Sequence, residues 1–488
     1  MDVKIKATNN SFYLFLYWII NTLGGFFFWL IAGKFLDQSE YGIALTAVSF
    51  GFFTISIITV GIPAALSKLI PEYKSKKQFK KIKSVITTSF VFLLFSNIIT
   101  LSIFLLIKSY LVEVLKTTET VFYFILGYIF FGSFSVTLFT IKYAFQEMKR
   151  YTIIGFLSII VKIFTSFTIL SLGMKYFGPI LGVILSSIIT IILAFPSKQI
   201  NFRLTFKEKD ILYYSIIGFV GAIVFSLISN FVYTIITIVK DTSTTGVFGI
   251  AMLISSIVVA IPNILNNSIY PIISEIFGKN KKTTSNLISH TIRYSLLLSI
   301  PLILIISFNS RFIILSFSSD KFISASEIIP ILSLASLILG IAGIFSNSLF
   351  AMRMTNQYTK SLLIAGATFL MITPIMTYVY SGIGASISYL ITSLTLLVLS
   401  YLYLKNKIKI KIDLIDIFKI IFSSFHFFII LMLNPFGIIE FVFINLLCVL
   451  FYIYFLYKMN FFTKTDKEII KFVIDKLRIS KLIKIDFV

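Results

Sequence analysis

Apolar runs of about 20 residues recur from one end of this chain to the other, and they constrain its fold more than any other feature. A helix needs about 20 such residues to cross the hydrocarbon core of a bilayer. Backbone polar groups in lipid must be hydrogen-bonded within their own segment, and the alternating ten-residue pattern of a β-barrel is absent. With 58% hydrophobic and 13% charged residues, the chain is predicted to be an all-α polytopic membrane protein.

The apolar runs predict fourteen transmembrane helices. The first run is too long for a signal peptide and no small-residue cleavage site follows it, so it is predicted to be a true span. The predicted spans are residues 12–33, 41–63, 85–107, 121–141, 152–173, 177–196, 211–236, 245–267, 289–308, 328–350, 359–380, 383–403, 415–433 and 438–457.

The positions of the cations predict the orientation. With the N-terminus inside, 35 of the 43 Lys and Arg residues fall in inner segments, seven in outer loops and one, Lys162, inside a span. Such a bias over short loops predicts a plasma-membrane protein with cytoplasmic N- and C-termini. The net charge of +23 is therefore interpreted as a topology signal, and no nucleic-acid partner is expected.

The two halves of the chain share a pattern. Residues 41–77 and 245–282 each begin with a glycine just after an outer turn, Gly42 and Gly246, and reach a glutamate and a Lys-Lys pair at matching distances. This match predicts that helices 1–6 repeat as helices 7–12, an arrangement known in transporters. The predicted domains are an N-terminal lobe (1–200), a C-terminal lobe (201–410), two additional helices (411–457) and a basic cytoplasmic tail (458–488).

Four segments also carry a family resemblance. They are "FLDQSEYGIALTAVSF" (35–50), "ALSKLIPEY" (65–73), "YPIISEIFGKNKKTTSNLISHTIRYSLLLSIPL" (270–302) and "SSDKFISASEIIPILSLASLILG" (318–340). They resemble the multidrug/oligosaccharidyl-lipid/polysaccharide (MOP) exporter superfamily, in its polysaccharide-transporter (Wzx-type) branch, over roughly residues 10–460.

The resemblance implies a fold and a function. The fold would be two six-helix lobes around a V-shaped central cleft, with two C-terminal helices added. The function would be a flippase that moves a polyprenyl-diphosphate-linked oligosaccharide from the inner to the outer leaflet by alternating access, for cell-surface polysaccharide or glycan assembly. The expected partners are that lipid-linked oligosaccharide, membrane lipids and glycosyltransferases of the same pathway, and the chain is expected to be a monomer.

Two other functions stay open. A multidrug exporter of the MATE type is disfavoured because helix 1 lacks the membrane carboxylate that such cation-coupled exporters usually place there. A membrane-embedded glycosyltransferase or polymerase could use Asp37 and Glu40, but the outer loops are too short to build a sugar site. The chain has one cysteine and two histidines, so no metal site, cofactor or enzyme activity is expected.

Lys162 is the single cation that the span assignment places inside the membrane. It lies near the middle of predicted helix 5, about 18–20 Å along the helix from the nearest cation on either side. Ser158, Thr165 and Ser166 share its helix face and form a polar stripe with it. We predict that the stripe lines the cleft and that Lys162 contacts the diphosphate, because lysine is a point-charge partner for phosphate. The alternatives are a structural lysine between helices and a wrongly placed span.

Five further residues are candidates. Asn21 and Asn230 lie inside helices 1 and 7, which the resemblance places on opposite sides of the cleft; they line the cleft or form interhelical hydrogen bonds. His290 and Arg293 begin helix 9, and Arg353 ends helix 10. These three are positive-inside anchors or an inner access site for the diphosphate.

Overall fold

The structure, a computed structural model, describes residues 3–195, 209–277, 280–410, 413–432, 437–463, 466 and 468, and in these ranges every regular element is helical. A π-helix (Leu227–Phe231) joins α9 to α10, and two 3-10 helices span Asp320–Phe322 and Phe425–Met432. The α-helices are α1 (Val3–Phe35), α2 (Gln38–Ile58), α3 (Ile62–Ser75), α4 (Phe79–Leu106), α5 (Lys108–Val114), α6 (Glu119–Ala144), α7 (Met148–Ser171), α8 (Phe177–Ala194), α9 (Lys209–Ser226), α10 (Val232–Val239), α11 (Thr242–Ile276), α12 (Lys281–Phe308), α13 (Ser310–Phe317), α14 (Ala325–Ala351), α15 (Thr355–Lys405), α16 (Leu414–Ser423) and α17 (Ile438–Lys458).

The exact count of fourteen spans is not confirmed. Within the described ranges, twelve helices are long and apolar enough to cross a membrane. One of them, α15, is a hairpin of predicted helices 11 and 12: Ser381 interrupts it with φ 53°, and a Cβ at Gly384 would overlap the Met376 carbonyl oxygen. In a straight helix those two residues would stand about 12 Å apart along the axis. Predicted helix 13 is different, because α16 ends at Ser423 and a 3-10 helix follows.

The described helices bury their apolar side chains in separate clusters. One cluster lies inside the first half of the chain and contains residues from Phe28 to Ala194. A second joins α2 to α11, α14 and α15, so it spans the two halves. A smaller cluster packs α16 and α17 against α12. The predicted domain boundaries stay predictions, and the one at 200/201 and most of the basic tail lie outside the described residues.

Arg293 ties α12 to the C-terminal segment. Its guanidinium donates to the Asp416 carboxylate at 2.6 Å, to the Asp466 carboxylate at 2.9 Å and to the Phe461 carbonyl at 2.7 Å. Burial alone would raise the pKa of Asp466, but its hydrogen bonds, including those from Tyr294 and Arg293, lower that pKa below its ordinary value. This enclosure favours a structural role for Arg293 over an access site for the diphosphate, because its donors are occupied and two carboxylates balance its charge.

Substituting Arg293 should therefore lower stability. We expect Arg293→Met to lower the free energy of unfolding by about 3–5 kcal/mol, because removing the cation of an enclosed ion pair leaves the carboxylates without a compensating charge. The Arg293→Lys variant should fall in between, because an ammonium cannot bridge both carboxylates as the guanidinium fork does. The midpoint of thermal unfolding in detergent measures the effect. The matched control is Arg311→Met, which removes an exposed cation; equal midpoints for the Arg293 and Arg311 variants would contradict this role.

Candidate functional site

Two matching caps begin α2 and α11, the helices through which the two halves of the chain contact each other. The Asp37 side chain accepts from the backbone N–H of Glu40 at 2.8 Å, and the Glu40 side chain completes a capping box. The Asp241 side chain accepts from the backbone N–H of Thr244 at 2.7 Å. Each cap stands five residues before the glycine that the repeat singles out, Gly42 in α2 and Gly246 in α11. The caps therefore start both helices in the same register relative to those glycines.

Gly42 and Gly246 lie where α2 and α11 cross. A Cβ on Gly42 would overlap the carbonyl oxygen of Thr242, and a Cβ on Gly246 would overlap that of Gln38. The two contacts are reciprocal, because each carbonyl belongs to the residue four positions before the other glycine. Small residues allow helix backbones to approach this closely in membranes. The crossing is therefore built on backbone against backbone, with no side chain that could yield.

Hydroxyl groups continue the contact at this end, which the cation distribution predicts to be the outer end. The Ser39 and Thr242 hydroxyls lie 2.7 Å apart, and Ser243 Oγ donates to the Gln38 side-chain oxygen at 2.6 Å. One turn deeper, the Thr46 and Thr237 hydroxyls lie 2.6 Å apart. These pairs satisfy polar groups across the interface, so the two halves of the chain are sealed together at this end.

The halves also meet at the predicted inner end. Gly61 begins α3 with φ 72°, and a Cβ there would overlap the Ser215 carbonyl oxygen of α9. Further along the interface, the rings of Phe53 and Phe231 pack with their centroids 4.3 Å apart. The two halves thus contact each other at both ends of their interface in this conformation, and a partly open cavity lies between these contacts.

A cavity of about 180 Å³ lies between α1, α2, α11 and the π-helix with α10. Its wall combines three aromatic rings with hydroxyl and amide groups, and no described lining side chain carries a charge. The lining residues are Trp29, Tyr41, Leu45, Val48, Ser49, Ser229, Asn230, Tyr233, Gly249, Met252, Leu253 and Ser256. The cavity can therefore hold an uncharged group that has both apolar and hydrogen-bonding surfaces.

Tyr41 is the buried polar group of this wall. Its side chain is fully buried, its ring lies against Gly249 and 5.5 Å from the Trp29 ring, and its hydroxyl has no hydrogen-bond partner within the described part of the chain. A buried hydroxyl without a partner is costly, and in a cavity wall it marks a place for a ligand or a water. The sequence signal was its position directly before Gly42; the prediction did not include Tyr41, Trp29 or Tyr233.

Asn230 is the one predicted site residue that lines this cavity. It belongs to the π-helix, a wide turn that often occurs at functional sites. Asn21 lies elsewhere, on an exposed part of α1, and is not among the residues of the cavity wall. The roles of both asparagines stay predictions.

Lys162, on α7, lies outside the cavity and contacts α1 and α8. Its Nζ stands 4.2 Å from the centroid of the Phe28 ring, and Phe28 precedes Trp29 of the cavity wall. Its backbone is equally close-packed, because a Cβ on Gly182 of α8 would approach the Lys162 carbonyl oxygen to 2.8 Å. Among the ion pairs between described residues, none includes Lys162. In this conformation Lys162 is not among the residues of the cavity wall.

The three predicted neighbours of Lys162 have different surroundings. Ser166 is buried against glycines of α8, and its hydroxyl has no hydrogen-bond partner among the described residues. Ser158 is half-buried and donates to the Gly155 carbonyl one turn earlier, while Thr165 is half-buried. None of the three is among the residues of the cavity wall in this conformation, and the role of the stripe stays a prediction.

Two of the predicted access residues are exposed. His290 stacks on Tyr294 with ring centroids 6.4 Å apart, and Arg353 occupies the turn after α14 with φ 61°. The structure does not bring them together with Arg293 into one described site, because the Arg293 guanidinium is enclosed by the C-terminal segment.

Both the sequence and the fold resemble known proteins. The sequence model of a family described as "Polysaccharide biosynthesis protein" matches residues 7–277. The comparison with curated proteins gives no match.

Solved structures show the same fold. The lipid II flippase MurJ in an inward closed conformation is similar with a TM-score of 0.72 and 18% identity, over 92% of this chain and 98% of that one. A multidrug resistance MATE family transporter of the MOP superfamily, in an inward-facing conformation, has a TM-score of 0.62 and 13% identity, over 79% and 95%. A MOP superfamily transporter from Pyrococcus furiosus has a TM-score of 0.55 and 14% identity, over 83% and 96%. The predicted all-helical polytopic fold is thereby confirmed.

The glycine crossing predicts how the cavity can be opened. Gly42→Ala should separate α2 from α11, because the added Cβ meets a backbone carbonyl that cannot rotate away. The reporter is Ser49→Cys in a Cys448→Ser background, which leaves one thiol in the cavity wall. We expect an impermeant maleimide added outside the cells to label it at least several-fold faster in the alanine variant.

The control is Gly25→Ala on α1, where an added Cβ meets no atom within 4 Å. It should label at the rate of the parent. Equal rates in the Gly42→Ala and Gly25→Ala variants, with both melting like the parent, would show that the crossing does not close the cavity.

Proposed function

The chain belongs to the polysaccharide biosynthesis protein family, and from that membership we propose that it is a flippase for a lipid-linked oligosaccharide. The substrate is a polyprenyl-diphosphate-linked oligosaccharide, which moves from the inner to the outer leaflet for cell-surface polysaccharide or glycan assembly. The superfamily that the sequence resembles is confirmed by the family match and by the fold. The chain acts as a transporter in the membrane, without catalytic chemistry of its own.

The cavity between the two halves supports the proposal most directly. Its wall mixes apolar surface with hydroxyl and amide groups inside an apolar bundle, where purely apolar packing would avoid the cost of burying those polar groups. The contacts between the halves lie at two separate places, the glycine crossing and the α3–α9 contact. In this proposal each contact opens while the other stays closed, which is the requirement for alternating access. Helices 1–6 and 7–12 would move as the two lobes.

The MATE-type exporter has less support. The wall of the cavity contains no acidic side chain among its described residues, and α1 has none between Phe12 and Phe35. Coupling to protons or cations through a carboxylate at this place is therefore not supported.

Lys162 provides the positive charge for the diphosphate in this proposal. An unpaired cation in a membrane span is costly and is usually kept for function. Its ammonium is within the first half of the chain and lies against the ring of Phe28, whose neighbour in sequence, Trp29, belongs to the cavity wall. The diphosphate would bind on this side while the sugars occupy the cavity, once the lobes separate and Phe28 turns away.

The N- and C-termini lie in the cytoplasm in this proposal. The cation bias of the short loops supports that orientation. Glycosyltransferases of the same pathway would deliver the substrate at the inner face, which carries the exposed lysines between α3 and α4.

Replacement of Lys162 tests the role of its charge. We expect Lys162→Met to reduce the flipping rate at least tenfold in proteoliposomes, and Lys162→Arg to retain more of it because the charge remains. Flipping is measured as lipid-linked sugar that becomes accessible to an impermeant glycosidase. The melting temperature of Lys162→Met should stay equal or rise, since an unpaired charge leaves the membrane interior. Normal flipping by a folded Lys162→Met protein would disprove the contact with the diphosphate.

Thiol labelling tests the orientation. In the Cys448→Ser background, Lys321→Cys should react with an impermeant maleimide on intact cells, whereas Lys77→Cys should react only after the membrane is permeabilised. Both side chains are exposed, so accessibility alone does not distinguish them. The reverse pattern would place the termini outside.

A further inference from the structure

We propose that the cavity between α2 and α11 selects uncharged sugars, and that acidic sugars are rejected there. The inference rests on the proposed flippase function and names the chemical class of the substrate. It follows from the composition of the wall, from one unpaired hydroxyl and from the position of the nearest membrane cation.

The wall matches the two kinds of surface on a neutral sugar. Trp29, Tyr41 and Tyr233 offer flat rings, against which the C–H face of a pyranose packs. Asn230 offers an amide with two donors and an acceptor, and serine hydroxyls add further hydrogen-bonding groups. Sugar hydroxyls both donate and accept, so they pair with this set without any charge.

Tyr41 supplies a hydrogen bond that nothing in the described structure uses. Its hydroxyl is buried and unpaired although its ring is fixed by Trp29 on one side and Phe322 on the other, at 5.5 and 5.4 Å. A sugar hydroxyl would satisfy it once the surrounding helices move apart, because the Tyr41 hydroxyl is fully buried in this conformation. A ligand that lacks hydrogen-bonding groups would leave it unpaired, so the wall also disfavours purely apolar ligands.

The same wall penalises a carboxylate. An ionised group that enters the cavity gives up part of its hydration and meets no cation among the described lining residues. Lys162 does not compensate in this conformation, because its ammonium lies against the Phe28 ring and the residue is not part of the wall. Uronic or sialic acids are thus disfavoured by the uncharged lining itself, without a steric block.

Purified protein in proteoliposomes tests this selectivity with two polyprenyl-diphosphate trisaccharides of equal size. One is neutral, and the other carries one uronic acid. We expect the neutral compound to flip at least tenfold faster. Asn230→Lys should narrow or reverse the ratio of the neutral to the acidic flipping rate, because it places an ammonium in the cavity. Asn230→Met, of similar length and uncharged, should not increase the flipping rate of the acidic compound.

The outcomes separate this inference from the function on which it rests. If both compounds flip at equal rates, or the acidic one flips faster, the selectivity is disproved and the flippase function stands. If neither flips, in a preparation that melts cooperatively, both proposals fail.

A binding measurement covers the case in which Asn230→Lys does not fold. The chain has two tryptophans, so Trp18→Phe leaves Trp29 as the only indole reporter. The free neutral trisaccharide should change the fluorescence of Trp29 along a saturable binding curve. The uronic-acid compound should leave that fluorescence unchanged at the same concentrations. Equal saturation by both sugars would overturn the selectivity.

Discussion

The close approach of α2 and α11 at Gly42 and Gly246 is the contact on which the rest of the interface depends. Because backbone meets backbone there, the distance between the two helices is set by covalent geometry and by no adjustable side chain. The hydroxyl pair of Ser39 with Thr242 beside it forms only if the helices are this close. The cavity lies next to this contact, and its wall runs along α2 from Tyr41 to Ser49.

The reciprocal form of the contact gives the repeat a physical meaning. The caps at Asp37 and Asp241 start two helices in equal register, so that each glycine meets the residue four positions before the other. A contact of this kind has approximate twofold symmetry, as an isologous interface has between two identical subunits. Two halves that meet about such an axis can rock in either direction with similar changes in contact, which suits a transporter with two openings.

Much of the fold was predictable, because the bilayer makes local rules decisive. A segment of about 20 apolar residues must be helical in lipid wherever it lies in the chain, so the spans follow from hydropathy alone. The exception, α16 with its 3-10 continuation, packs against α12 beside the main bundle. Side-chain partners were not predictable in this way: Arg293 meets Asp416 and Asp466, which stand 123 and 173 residues away in sequence.

The site shows the same limit. Hydropathy identified Lys162 as unusual, and the spacing of Ser158 and Ser166 gave it a face. Whether that face meets the cavity or another helix depends on the rotation of α7, which neighbours such as Gly182 determine by tertiary packing. The aromatic wall was missed because tyrosine and tryptophan are common in apolar runs, and only their convergence from three helices makes them a site.

The separation of the lysine from the cavity is consistent with a substrate that has two parts. A diphosphate needs a fixed positive charge, whereas neutral sugars need rings and hydrogen bonds that a strongly hydrated ammonium would disturb. One chamber cannot serve both well, because a cation in the sugar cavity would have to be desolvated whenever the lobes close around uncharged groups. Phe28 resolves this conflict, since its ring lies against the ammonium in the closed conformation and compensates part of the charge through its π face. The lysine thus lies against an aromatic ring outside the cavity wall, and this conformation does not place an isolated charge beside the sugars.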